Sequence, residues 1–188
     1  MGKAILTLHM SLDGVVSDVE SWMSMTDEML ERYLAYYRTV DAIVVGGGTY
    51  VSMAEYWQHA ETFSDSRVER EIARQINDKP KYVLSRSPLE PVWRNSQPIL
   101  YANREFPVRE VARLKQETGN LSVESGVRTW QAFIRHDLFD DLWLFIHPVV
   151  VSGDKLFDTA ETKLELELSS HRTYSNGVIE LDYRKKTS

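Results

Sequence analysis

Asp41-Ala-Ile-Val-Val-Gly-Gly-Gly-Thr-Tyr50 carries the strongest structural signal in this chain. An apolar, β-branched run enters three consecutive glycines and then a segment of helical character, which predicts a strand, a glycine turn and a helix. Glycines let the backbone approach a ligand closely, and the N–H groups and positive dipole end of a helix bind anions. The stretch therefore predicts a phosphate-binding turn.

Leu121-Ser-Val-Glu-Ser-Gly-Val-Arg-Thr129 repeats this design further along the chain. Neither stretch ends in the Lys-Ser or Lys-Thr pair of nucleoside-triphosphate loops. Two strand-to-glycine-to-helix units in one chain indicate a ligand with two phosphates, and we expect a dinucleotide cofactor.

The composition narrows the class of protein. The chain has 188 residues, 43% of them hydrophobic, and can bury one sizeable core, so we expect a single domain over residues 1–188. It has no cysteine, which excludes disulfides and thiolate zinc sites and fits a cytoplasmic protein. No segment reaches the length of a membrane span, and no histidine spacing indicates a metal site. The net charge of −6, with basic residues scattered among acidic ones, argues against nucleic acid as a partner and leaves a small molecule.

Strands and helices alternate along most of the chain. Apolar spacing, helix caps and turn residues predict the glycine-flanked strand, further strands at 4–10, 81–85, 98–101, 121–123 and 141–151, and helices at 26–37, 49–57, 66–77, 107–118 and 129–136. The tail differs, because 164–168 alternates and 173–184 surrounds Asn176-Gly177, a strong hairpin signal. These elements predict an α/β fold whose central sheet is mixed and mostly parallel, is flanked by helices and ends in an antiparallel hairpin. Ligands should bind at the carboxyl ends of the parallel strands.

Five motifs in this order resemble the dihydrofolate-reductase-like superfamily, and most closely its branch that contains the C-terminal reductase domain of the bifunctional deaminase-reductase of bacterial riboflavin biosynthesis. They are Ser11-Leu-Asp-Gly14, Val44-Val-Gly-Gly-Gly-Thr-Tyr50, Val83-Leu-Ser-Arg86, Val123-Glu-Ser-Gly126 and Pro148-Val-Val-Val-Ser-Gly-Asp-Lys-Leu-Phe157. The resemblance implies a three-layer fold, NADPH bound across the strand ends and hydride transfer to a carbon–nitrogen double bond. In the riboflavin branch the substrate is a phosphoribosylamino-pyrimidine whose ribosyl group becomes ribityl. Without cysteines for a zinc deaminase, the chain would be a stand-alone reductase.

The resemblance assigns the cofactor contacts to three segments. Ser85 and Arg86 match the pair that meets the adenosine 2′-phosphate and would favour NADP over NAD, although an ordinary Ser-Arg turn explains them as well. Many relatives carry an arginine at the position of Gly47, which here contributes no cation. The residues that match the two phosphate turns are Gly46, Gly47, Gly48 and Thr49 in the first and Ser125, Gly126, Val127, Arg128 and Thr129 in the second.

The resemblance also assigns substrate contacts and acids. Glu124 would accept from the polar edge of a pyrimidine, or else lie on a solvated face. An aspartate and a tryptophan, Asp27 and Trp22, are similar to those of the folate reductases, whose buried acid assists protonation; the alternative for Asp27 is a carboxylate in the first turn of a helix. The loop that frames the substrate pocket is matched by Ser11, Asp13 and Gly14, with Val15 where riboflavin reductases commonly have lysine.

Several alternatives stay open at this stage. A pterin or dihydrofolate-type reductase, an NAD-using relative and a non-catalytic NADP-binding protein of the same fold are each compatible with the motifs. Segment 164–184 would pair with a second subunit in a homodimer, as in many relatives, or form an edge hairpin within the monomer.

Overall fold

An eight-stranded sheet with helices on both faces forms the body of the computed structural model, which describes residues 2–101, 105–157 and 163–186. The three-layer α/β prediction is confirmed. The strands are β1 (Ala4–Ser11), β2 (Ala42–Gly46), β3 (Lys81–Ser85), β4 (Ser96–Leu100), β5 (Leu121–Val123), β6 (Asp141–His147), β7 (Leu166–Thr173) and β8 (Ile179–Lys185), and the helices are α1 (Asp27–Tyr37), α2 (Tyr50–Phe63), α3 (Arg67–Asp78), α4 (Val108–Thr118) and α5 (Val127–Arg135).

The strand order across the sheet is β4-β3-β2-β5-β1-β6-β8-β7. Neighbouring strands from β4 to β6 are parallel, whereas β8 is antiparallel to both β6 and β7. The mixed, mostly parallel sheet and the C-terminal hairpin are thus both confirmed. Since β2, β5 and β1 are adjacent and parallel, the segments that follow them emerge at one edge of the sheet.

Side chains of the central strands point alternately into two cores, as the two-residue period of a strand requires. One core contains Leu6 and Leu8 of β1 with residues of α4 and α5, such as Val111 and Phe133. The other contains residues of α1, α2 and α3. Polar side chains of β1 point to the α1 side, where Thr7 contacts Tyr36, and this side becomes important for the site.

Several element boundaries differ from the sequence prediction, including those of α2, β6 and α5. Helix α2 continues to Phe63 instead of ending near 57, because the side chain of Asn77 on α3 holds this turn by donating to the Trp57 carbonyl at 3.0 Å. Strand β6 ends at His147, four residues early, because the next residue, Pro148, has no N–H for a sheet ladder. Helix α5 begins at Val127, directly after the glycine of the second turn. None of the described helices is long and apolar enough to cross a membrane.

The C-terminal hairpin is attached to α1 by a buried carboxylate. Glu180 of β8 accepts from the indole Nε1 of Trp143 and from Nε of Arg32, each at 2.8 Å. The Arg32 guanidinium lies 5.0 Å from the centre of the Trp143 ring. These contacts fix the position of α1 over β1, β6 and β8.

Candidate functional site

The two glycine turns meet at the carboxyl edge of the sheet. The backbone N–H of Gly46, at the end of β2, donates to Ser125 Oγ at 2.8 Å. A Cβ atom on Gly46 would lie 2.5 Å from both Ser125 Oγ and Thr129 Oγ1, so only glycine allows this approach. A Cβ atom on Gly126 would lie 3.3 Å from Thr49. The first turns of α2 and α5 therefore lie side by side, which no single motif in the sequence reveals.

The middle of the first turn has room for a ligand. A Cβ atom on Gly48 would have no protein atom within 4 Å, whereas one on Gly47 would lie 2.9 Å from Ser85 Oγ. Ser85 thus fills the space that the Cβ of an arginine at position 47 would need. Two cationic side chains border the turns, since Arg86 follows β3 and Arg128 lies in the first turn of α5, and both are exposed. Free N–H groups, an open glycine and two arginines fit the diphosphate of a dinucleotide.

The hydrogen bonds of Ser85 differ from those expected of a residue that contacts a phosphate. Its buried hydroxyl donates to the Ser87 carbonyl at 2.7 Å and accepts from the Ser87 N–H at 3.2 Å. Because its one hydrogen is used within the chain, Ser85 has none to donate to a phosphate. Of the matched pair, Arg86 is the exposed residue and can meet an anion at this strand end.

Because β5 is short, no strand lies between β1 and β2 beyond its end, and this gap between β1 and β2 is called the crevice below. Strand β5 pairs with β1 only as far as Leu6 and with β2 only as far as Val44, whereas β1 continues beside β6 to Ser11. The segment after β5 begins with Glu124, which therefore lies at the inner end of the crevice. Helix α1 covers it on one side, and the N-termini of α2 and α5 border it.

Glu124 is buried and hydrogen-bonded, so its alternative reading as a solvated surface acid is wrong. One carboxylate oxygen accepts from the Tyr37 hydroxyl and the other from the Ser122 hydroxyl, each at 2.7 Å. Tyr36 donates to Ser122 at 2.8 Å and continues this network. Burial raises the pKa of the Glu124 carboxyl, and the two hydrogen bonds oppose that rise. Each oxygen retains a lone pair for a ligand that enters the crevice.

A second hydrogen-bond network on the α1 side contains two histidines, His9 and His147, which lie in the predicted strands 4–10 and 141–151. His9 Nδ1 lies 2.8 Å from His147 Nε2, and His9 Nε2 lies 2.8 Å from the Tyr33 hydroxyl. The Ser24 N–H approaches His147 Nδ1 at 3.4 Å. The available sequence signal was that both histidines lie near the carboxyl ends of predicted strands, but only the parallel pairing of β1 with β6 makes them neighbours.

Polar groups of the loop after β1 form hydrogen bonds with one another. The Ser11 hydroxyl donates to Asp13 Oδ1 at 2.7 Å and accepts from the Val15 N–H at 2.9 Å. The Ser11 hydroxyl is also the main cause of a lowered Asp13 pKa. Gly14 has φ of 94°, a left-handed conformation that favours glycine. Ser11 therefore shapes the loop and has no hydrogen left for a substrate, and Val15 is buried and pairs with Lys155 in a short bridge.

Trp22 and Asp27 do not form the arrangement expected from the folate reductases. Asp27 is exposed in the first turn of α1, next to the cap formed by the Thr26 side chain, so the expectation of an acid in an apolar pocket is wrong. Trp22 is half-buried, donates to the Ser17 carbonyl at 3.0 Å and meets the His147 ring edge-on at 5.5 Å. It thus lies beside the histidine pair. Among the described residues no group of three or more His, Cys, Asp or Glu side chains could hold a metal ion.

Comparison with known proteins agrees with this architecture. Two proteins of Bacillus subtilis strain 168 are similar to the chain: the uncharacterized protein YyaP, 27% identical over 186 residues (96% of this chain and 94% of YyaP), and the uncharacterized protein YwjB, 30% identical over 173 residues (88% and 89%).

Two solved structures share the fold over nearly the whole chain. The riboflavin biosynthesis reductase of Saccharomyces cerevisiae superposes with a TM-score of 0.61 at 16% identity, over 98% of this chain and 90% of the other. Dihydrofolate reductase from Enterococcus faecalis, complexed with NADP(H), superposes with a TM-score of 0.65 at 12% identity, over 99% and 98%. The family model of the RibD C-terminal domain matches residues 3–180. With its dihydrofolate-reductase-like fold, the chain belongs to the RibD C-terminal domain family.

Proposed function

We propose that this protein is an NADPH-dependent reductase that transfers a hydride to a carbon–nitrogen double bond, with 5-amino-6-(5-phosphoribosylamino)uracil as the first candidate substrate. The observation that carries the proposal is the pair of glycine turns joined by the Gly46 to Ser125 hydrogen bond. They bring two helix N-termini together beside a crevice that ends at a buried acid. Membership of the RibD C-terminal domain family supports the same chemistry.

The cofactor would be held mainly by backbone donors. The pyrophosphate would meet the N–H groups of the first turns of α2 and α5, with Gly48 allowing close approach and Arg128 supplying charge. Arg86 would pair with the 2′-phosphate and so favour NADPH over NADH. When bound, the reduced nicotinamide supplies the hydride.

Glu124 would orient the substrate. Its carboxylate already accepts from Tyr37 and Ser122, and the remaining lone pairs can accept from ring N–H groups of a pyrimidine. A pterin substrate is less favoured, because Asp27 is exposed instead of buried. A non-catalytic nucleotide-binding protein would keep the glycine turns and show no turnover.

Calorimetric titration with NADPH and NADH tests the first part of the proposal. We expect NADPH to bind at least about 100-fold more tightly, a difference of about 2.7 kcal/mol that a charge-assisted arginine contact can supply. Arg86→Gln should remove most of this preference. Arg113→Gln is the matched control, because Arg113 is an exposed arginine on α4, paired with Glu117. Equal affinities for the two nucleotides would contradict the assignment of Arg86.

Turnover tests the second part. NADPH oxidation should be followed with 5-amino-6-(5-phosphoribosylamino)uracil and, in parallel, with dihydrofolate. Glu124→Gln should abolish turnover of the pyrimidine and leave NADPH affinity unchanged, since Glu124 contacts the substrate and not the phosphates. Turnover of dihydrofolate alone would favour the pterin alternative, and tight NADPH binding without any turnover would favour a binding protein.

The expected homodimer also remains a prediction. Strand β7 forms one edge of the sheet, and most of its residues are exposed, Leu168 by 47%. Light scattering of the purified protein at several concentrations would measure the mass directly, and a monomer at all concentrations would refute the homodimer.

A further inference from the structure

Reduction of a carbon–nitrogen double bond needs a proton as well as a hydride. When the hydride bonds to carbon, the electron pair of the double bond moves to nitrogen, which then takes up a proton. Asp27, the acid suggested by the folate reductases, is exposed on α1. The proton donor must therefore be sought among the groups that face the crevice.

The hydrogen-bond chain on the α1 side has a defined direction. A backbone N–H can only donate, so the Ser24 N–H makes His147 Nδ1 an acceptor. In a neutral imidazole the proton is then on Nε2, and His147 donates to His9 Nδ1. His9 in turn carries its proton on Nε2 and donates to the oxygen of Tyr33. Burial, together with His147, lowers the pKa of His9 to about 3, and burial lowers that of His147 to about 4, so both rings are neutral at pH 7.

This direction leaves the hydroxyl hydrogen of Tyr33 without an acceptor among the described residues. Tyr33 is 8% exposed, so water does not readily replace a partner. A buried donor without an acceptor destabilises the free protein, and a ligand that accepts from it removes this cost. The nearest comparable hydroxyls are already in use, since Tyr37 donates to Glu124 and Tyr36 donates to Ser122.

Tyr33 also lies where a substrate would enter. Its ring centre is 6.1 Å from that of Tyr37, the hydrogen-bond partner of Glu124, and it stacks against Phe145 at 5.0 Å. His9, its partner on β1, is partly exposed and belongs to the part of β1 that extends past the end of β5. The hydroxyl and the Glu124 carboxylate therefore border the same crevice.

We propose that the Tyr33 hydroxyl is the proton donor of the reduction, with His9 and His147 as positioning residues. The inference rests on the proposed function. In the step, a C–H bond forms with the incoming hydride, the carbon–nitrogen π pair moves to nitrogen, the Tyr33 O–H bond breaks and an N–H bond forms. The His9 Nε2–H, which already donates to the Tyr33 oxygen, stabilises the developing phenolate. Water then returns a proton to the phenolate after the product leaves.

Tyr33 keeps its proton at physiological pH, and the other titratable groups around it fit the role of proton donor less well. Burial raises the pKa of Tyr33 itself well above 10, and the charge of Glu124 adds to the rise, so the hydroxyl is protonated at any physiological pH. The remaining neighbours are Tyr36 and Tyr37 on α1, Glu180 on β8 and Tyr174 in the hairpin. Glu180 already accepts hydrogen bonds from Arg32 and Trp143.

Nitrogen NMR of the imidazole rings tests the direction of the chain without any cofactor. We expect His9 and His147 both to be neutral and protonated at Nε2 at pH 7. Protonation of His9 at Nδ1 would overturn the inference, because the Tyr33 hydrogen would then be donated to His9. This result does not depend on the identity of the substrate or the nucleotide.

Single-turnover kinetics test the role in catalysis. With NADPH and 5-amino-6-(5-phosphoribosylamino)uracil, Tyr33→Phe should slow reduction by at least about 100-fold, the usual range for loss of a general acid, and change NADPH affinity by less than about threefold. Tyr174→Phe is the matched control, because its buried hydroxyl donates to Glu180 and does not face the crevice. His9→Gln, which can still donate to Tyr33, should retain more activity than His9→Leu.

The outcomes separate the inference from the proposed function. If the unmodified protein binds NADPH and reduces the substrate, but Tyr33→Phe is as active as Tyr174→Phe, Tyr33 is not the donor. If the unmodified protein does not bind NADPH, the proposed function fails, and the assignment of a catalytic proton to Tyr33 fails with it, whatever the NMR result.

Discussion

The hydrogen-bonded pair His9 and His147 makes the stability of this protein depend on pH in a way that can be calculated. In an unfolded chain a histidine has a pKa of about 6.5. In the fold, burial and the neighbouring His147 lower the pKa of His9 to about 3. Between these two values the unfolded state binds a proton that the folded state excludes. The contribution of His9 is therefore fully present above pH 6.5 and is lost progressively as the pH falls towards 3.

The magnitude follows from the size of the window. Well inside the window each pH unit changes the free energy of unfolding by about 1.36 kcal/mol, and near pH 6.5 by about half as much. Lowering the pH from 6.5 to 4.5 should therefore cost about 2.3 kcal/mol through His9 alone. Glu124 and Asp182 act with the opposite sign, since their pKa values are raised and the folded state binds their protons first. A comparison of variants is therefore needed to separate the contribution of His9 from those of Glu124 and Asp182.

Urea unfolding followed by tryptophan fluorescence is the appropriate assay. The free energy of unfolding should be measured at pH 7, 5.5 and 4.5 for the unmodified protein, for His9→Gln and for His59→Gln. His59 is an exposed histidine on α2 and provides the matched control. We expect the pH slope of His9→Gln to be shallower by about 1.4 kcal/mol per unit than that of the other two proteins. Parallel slopes for all three would refute the argument that His9 is neutral and buried.

Three further changes test other parts of the structure. Gly48→Ala should leave the free energy of unfolding within about 0.5 kcal/mol of the original, because the added methyl group would meet no protein atom. It should weaken NADPH binding at least about tenfold, because the methyl group would meet a phosphate. Urea unfolding measures the first effect and calorimetry the second. Lys81→Met should destabilise the fold by about 3 kcal/mol, since the buried ammonium donates to three carbonyls at the end of α3 and lies over Trp93. NADPH affinity should not change. Unchanged stability in urea would contradict this prediction. Glu124→Gln should unfold at the same urea concentration or a higher one at pH 7, because it removes a buried charge, and a large loss of stability would show that the carboxylate is a structural anchor.

Local patterns in the sequence predicted the elements well where the pattern has a local physical cause. The cap at Thr26 begins α1, because its side chain accepts from the Met29 N–H, and Asn176-Gly177 forms the turn between β7 and β8. The end of α2 was wrongly predicted because its cause lies elsewhere in the fold, whereas β6 ends early for a local reason, the missing N–H of Pro148. Helix α2 is extended by a side chain from α3, a contact that the α2 sequence does not contain.

The features of the candidate site likewise include some that the sequence predicted and some that it did not. The glycine turns could be predicted from the sequence, because a strand followed by glycines and then a helix has a characteristic local conformation. The burial of Glu124, the exposure of Asp27 and the internal hydrogen bonds of Ser85 were not visible, because each depends on what a distant segment places next to that residue.

The layered α/β fold, the two glycine turns and the family could be predicted from the sequence, since hydrophobic period, turn chemistry and motif order are properties of neighbouring residues. Which polar groups share the crevice depends on the tertiary structure. His9 and His147 are 138 positions apart and lie 2.8 Å from each other, because β1 and β6 pair in parallel. Tyr33 joins them only because α1 packs across those strands. Such contacts follow from strand order and helix packing, which local sequence patterns do not specify.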